Sequence, residues 1–65
     1  MTPRQLEVLE LLAEGLRDSE IAARLVLSER TVGHHVSAIL RKLAVRNRGQ
    51  ATAEAVRLGL VSKDR

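Results

Sequence analysis

Sixty-five residues, 45% of them hydrophobic, allow one small domain of marginal stability, and its core must be mainly aliphatic because the chain has no Phe, Trp or Tyr. The missing rings weigh against single-strand and RNA binding, which stack bases on aromatic side chains; the missing cysteines exclude a disulfide frame, a thiolate nucleophile and a Cys-based zinc site. The net charge of +3 hides an asymmetry: residues 1–29 carry 3 basic and 6 acidic side chains, whereas residues 30–65 carry 8 basic and 2 acidic.

Thr2-Pro3-Arg4-Gln5 reads as a helix start. Thr2 is the N-cap, Pro3 takes the first helical position where its missing N–H does no harm, and Gln5 completes a capping box. Leu6, Leu9, Leu12, Ala13 and Leu16 then form an apolar stripe widened by Val8, and Gly15 supplies a stop, which predicts a first helix over 3–14. Asp18 or Ser19 can cap a short second helix over 19–26, with Ile21, Ala22 and Leu25 facing inward. The small Ala22 would let the next helix cross closely.

Ser28 caps a third helix over 29–44. Val32, Val36, Ile39, Leu40 and Leu43 form its apolar stripe; Arg30, His34, Ser37 and Arg41 recur opposite, at i, i+4, i+7 and i+11. Gly33 conflicts with this pattern, since a helix-interior glycine costs about 1 kcal/mol relative to alanine. Either the stripe overrides that cost or the missing side chain leaves room for something to approach. Asn47 with Gln50 starts a fourth helix over 48–58, rich in small residues and closed by Gly59. Leu60 and Val61 can fold back onto the core, and 62–65 reads as a polar tail. The fold class is therefore all-α, a single four-helix domain over 1–65 whose second and third helices form a helix-turn-helix unit.

Little here suits an enzyme. His34 and His35 are adjacent, so on a helix they diverge by about 100° and do not share an ion, and no third ligand stands at matching spacing. Ser19, Ser28 and Ser37 have no spacing that identifies a His-carboxylate partner pair, and the four glycines form no phosphate-binding loop. No catalysis, metal, cofactor or small-molecule site is expected. With no leader and no apolar run long enough to cross a membrane, the expected compartment is the cytoplasm, at the nucleoid when DNA is bound.

Double-stranded DNA is the partner these features favour. No acidic residue falls between Arg30 and Arg48. Arg30 and His34 can reach base edges or phosphates, Ser37 can donate or accept, and Thr31 can hold a phosphate at the first turn. Arg41, Lys42, Arg46 and Arg48 lie further along, where phosphate contact is the natural role.

Thr2-Pro3-Arg4-Gln5-Leu6-Glu7-Val8-Leu9, Ala13-Glu14-Gly15-Leu16, Glu20-Ile21-Ala22, Ser28-Glu29-Arg30-Thr31-Val32, His35-Val36, Leu40-Arg41-Lys42-Leu43 and Val45-Arg46-Asn47-Arg48 together resemble the LuxR-type (GerE-type) helix-turn-helix domain. The resemblance covers 2–60. It implies sequence-specific DNA binding by a bacterial transcriptional regulator, with the third helix in the major groove and pairing on DNA through the fourth. Carried over by position, it places Gly33, His34 and Ser37 at bases and Thr31, His35, Arg41 and Lys42 near phosphates. It also implies a receiver, ligand-sensing or ATPase portion elsewhere in a longer protein, and RNA polymerase as a partner if the regulator is an activator. The chain departs from many relatives at Gly33, where they carry lysine, at Ala44, where they carry glycine, and at Gln5, where glutamate is common.

In the fourth helix Ala51, Ala55 and Leu58 form a stripe of mostly small side chains on which two copies could meet, so a homodimer on DNA is expected. Two other readings stay open. One is promoter binding like that of sigma-factor region 4, which does not need the fourth helix for pairing. The other is a protein-interaction module that has lost DNA binding, supported by Gly33 and the modest net charge.

Overall fold

The computed structural model describes residues 1–61, so the polar tail expected at 62–65 lies outside the described residues. Four helices follow in order: α1 (Pro3–Ala13), α2 (Asp18–Leu25), α3 (Glu29–Lys42) and α4 (Arg48–Arg57), with no strand among the described residues. The expected all-α, four-helix architecture is the one found, with helix ends displaced by one or two residues.

Local chemistry starts each helix. The Thr2 hydroxyl accepts from the Gln5 N–H at 3.1 Å while Gln5 Oε1 accepts from the Thr2 N–H at 3.3 Å, the reciprocal capping box. At α2 the cap is Arg17, not Asp18 or Ser19: Glu20 Oε1 accepts from the Arg17 N–H at 2.7 Å, and Asp18 sits inside the first turn. Asn47 Oδ1 accepts from the Gln50 N–H at 2.9 Å, and Gln50 reaches back past Asn47 to the Arg46 N–H at 2.8 Å.

All four helices close in one way. A residue of positive φ (Gly15, Val26, Ala44, Gly59) turns the chain, and the next N–H donates to a carbonyl five residues back: Leu16 to Leu11, Leu27 to Ala22, Val45 to Leu40, Leu60 to Ala55, at 2.9–3.2 Å. Leu16, Leu27 and Val45 pack against the core, and that burial holds the turns in place. Two of the turns use glycine. The other two force Val26 (φ 58°) and Ala44 (φ 57°) into the left-handed region, where a Cβ crowds the following carbonyl. Val26→Gly and Ala44→Gly should each therefore raise stability by about 1 kcal/mol, a rise in Tm of about 4–8 °C. Urea denaturation with an unchanged m-value is the check; loss of stability in both variants would refute the strain.

α1 packs on all three other helices, and α2 packs across α3. Val8, Leu9, Ile21, Val32 and Ile39 are fully buried, joined by Leu11 and Leu12, while Leu6 and Leu16 are only half-buried. Ala22 is buried on the inner side of α2, as a close crossing requires. From α4 come Ala51 and Ala55, both 0% exposed. They are core residues, which corrects their expected place on a pairing surface: α4 lies mainly on α1, and alanine lets those two helices approach closely. Leu58, beyond the last turn, is half exposed, and Val61 folds back onto the core.

Candidate nucleic-acid interface

α3 is 14 residues long, about 21 Å at the helical rise, and the fold divides it lengthwise. Val32, Val36 and Ile39 anchor it to α1 and α2, and the turn 26–28 sets its angle to α2. Arg30, His34, Ser37 and Arg41 are all exposed on the opposite side, in the register expected. Lys42 is exposed in the last turn and Arg46 in the connection that follows; His35 and Thr31 are half-buried at the flanks.

At the head of α3 the Ser28 hydroxyl accepts from the Thr31 N–H at 3.1 Å and donates to Thr31 Oγ1 at 2.9 Å. Thr31 Oγ1 thus accepts within the cap and keeps its own hydrogen to give outward, the polarity a phosphate oxygen requires. Gly33 does not break the helix, and a Cβ built there would meet nothing within 4 Å.

The basic residues divide into two groups. Arg30, Arg41, Lys42 and Arg46 make no ion pair among the described residues. Arg48, expected at phosphates with them, is engaged inside the domain: its guanidinium pairs with Asp18 at the start of α2 and donates to the Leu16 carbonyl at 2.8 Å. This fastens the start of α4 to the turn between α1 and α2, and it makes Asp18 a clamp residue where the sequence suggested a cap. Arg57 is likewise paired, with Glu54, whose carboxyl is held below its usual value chiefly by the hydrogen bonds from Arg57, whose charge adds to them. That contribution is present above the carboxylate range and fades as pH falls through it. The acidic Glu7, Glu10 and Glu20 are exposed on α1 and α2, so the domain is polarised: acidic on its first two helices, basic from α3 onward.

Among the described residues no group of three or more His, Asp or Glu side chains could hold a metal ion, and no helix is long and apolar enough to cross a membrane. Exposed polar and basic side chains standing opposite the buried side of α3 offer recognition of an extended anion.

Comparison with known proteins agrees with this geometry. Residues 1–55 match the family described as bacterial regulatory proteins, luxR family. The chain is 50% identical over 60 residues to transcriptional regulatory protein LnrK of Bacillus subtilis (strain 168), an overlap that covers 92% of this chain and 27% of LnrK. It is 44% identical over 59 residues to spore germination protein GerE of the same organism, covering 91% of this chain and 80% of GerE. The solved structure of the transcription factor GerE superimposes with a TM-score of 0.90 at 39% identity, over 98% of this chain and 96% of that one. The chain thus spans about a quarter of LnrK and most of GerE. LnrK is named a transcriptional regulatory protein and GerE a transcription factor. From the family match, the helix-turn-helix architecture and the basic outer face of α3, the chain belongs to the luxR family of bacterial regulatory proteins and forms their helix-turn-helix DNA-binding domain.

Proposed function

We propose that the domain binds double-stranded DNA sequence-specifically, with α3 lying in the major groove. The observation that carries this reading is the outer face of α3, which is exposed, carries no acidic side chain beyond Glu29 in its first turn and is lined by cations that make no ion pair among the described residues. An α-helix fits the roughly 12 Å width of the groove. Arg30, Gly33, His34 and Ser37 meet base edges, while Thr31, His35, Arg41, Lys42 and Arg46 meet the flanking phosphates. Titration of a random-sequence duplex over a series of salt concentrations tests this: affinity should fall steeply on a log–log plot, and no binding at low salt would overturn it.

On DNA the domain acts as a homodimer through α4. With Ala51 and Ala55 committed to the core, the surface left for a second copy is the half-exposed Leu58 together with the shallow groove lined by Gly49, Thr52, Ala53 and Val56. Small side chains there permit close helix approach. Ala53→Glu should weaken binding to a duplex of two half-sites about tenfold or more and leave a single half-site unaffected. Equal losses on both duplexes would remove α4 from the pairing. The regulator works in the cytoplasm at the nucleoid, and RNA polymerase is its partner where it activates.

A further inference from the structure

Among the described residues nothing accounts for Gly33. Gly15 and Gly59 turn the chain at positive φ, and a Cβ on Gly49 would come into contact with the capping oxygen Asn47 Oδ1 at 3.4 Å. Gly33 has neither reason: its backbone is ordinary α-helix, and a Cβ would find open space. Alanine would serve the fold better, since glycine in a helix interior gives up conformational entropy without return. The reason for this residue therefore lies outside the chain, on the face it occupies. Arg30, His34 and Ser37 lie around it at i−3, i+1 and i+4, with Glu29 at i−4, all exposed, so the missing side chain leaves a notch floored by backbone among longer polar side chains.

We propose that Gly33 is a specificity-determining position and that the notch receives the C5 methyl of a thymine; this rests on the placement of α3 in the major groove. The position has no side-chain donor or acceptor, and its backbone N–H and carbonyl belong to the helical ladder, so it does not read a base by hydrogen bonding. What it complements is shape. Among the groups that a base pair shows in the major groove, the thymine methyl is the apolar one that protrudes, and a bare backbone lets it come close. Arg30, His34 and Ser37 supply hydrogen bonds to the neighbouring positions.

The test pairs a protein change with a DNA change. Duplexes are selected from a randomised pool with the unaltered domain, and each thymine of the selected site is replaced in turn by deoxyuridine, which removes only the methyl. One thymine in each half-site should matter: losing its methyl should weaken the unaltered domain about fourfold, the worth of one buried methyl group. Gly33→Ala should bind the parent duplex about tenfold more weakly, because its Cβ occupies the methyl's place, and should be indifferent to that deoxyuridine. The same variant should melt about 4–8 °C higher, so weaker binding is not a failure to fold. Protein and DNA changes that multiply independently, or a Gly33→Ala that keeps full affinity, overturn the notch while leaving DNA binding in place. No binding by either protein at low salt overturns both.

Discussion

Ile39→Ala should remove roughly half of the domain's stability. Ile39 is 0% exposed in the C-terminal half of α3, and removing its branched side chain costs about 2–5 kcal/mol, the lost transfer energy plus the cavity left behind. A chain of this length holds roughly 3–10 kcal/mol in total. The neighbouring Val8, Leu9, Ile21 and Val32 are themselves fully buried and aliphatic, and no aromatic ring is available to tilt into the space, so little collapse can offset the loss. Far-UV circular dichroism and urea denaturation are the measurements. Leu58→Ala, at a half-exposed position, is the comparator and should cost less than about 1 kcal/mol. A loss below that figure at Ile39 would mean that α3 is not seated as described.

Replacing Arg41 and Lys42 together by alanine should lower affinity for any duplex about 10- to 100-fold at moderate salt. It should also flatten the log–log salt dependence by about two units, one for each phosphate that is no longer neutralised. Both side chains are exposed and outside the core, so the melting curve should hardly move. The signature that separates them from the residues proposed to face bases is uniformity. Ser37→Ala or Arg30→Ala should relax preference at a single base pair by about 1–3 kcal/mol while the salt slope changes little in the first case. An unchanged slope in the Arg41 and Lys42 variant would remove both from the phosphate-binding set.

Much of this was legible in the sequence because the signals were local. Thr2-Pro3, Ser28 and Asn47 each declare a helix start through a side chain that caps its own turn, and the alternation of Val32, Val36 and Ile39 with Arg30, His34, Ser37 and Arg41 states which side of α3 is buried. What was not legible depended on distance or on ambiguity. Ala51 and Ala55 have one pattern whether they face the core or a second copy, because alanine favours close packing in either place; only the position of α1 decides. Arg48 meets Asp18 thirty residues away, a pairing with no periodic signature. Val26 breaks the rule that a left-handed turn wants glycine or asparagine, and the turn persists because Leu27 beside it packs on the core. Leu11, absent from the predicted stripe, is buried, whereas Leu6 and Leu16 of that stripe are only half-buried.

Val26 and Ala44 stand at the two ends of α3, so the helix that carries the residues proposed to face DNA is bracketed by the two turns that carry strain. This has a consequence for retargeting. Glycine at both turns would together recover about 2 kcal/mol without altering any outward side chain of α3. A new residue at His34 or Ser37 that disturbed the fold by a similar amount would then be tolerated. The domain's target sequence and its stability can thus be changed through separate positions, one set along the helix and the other just beyond its ends.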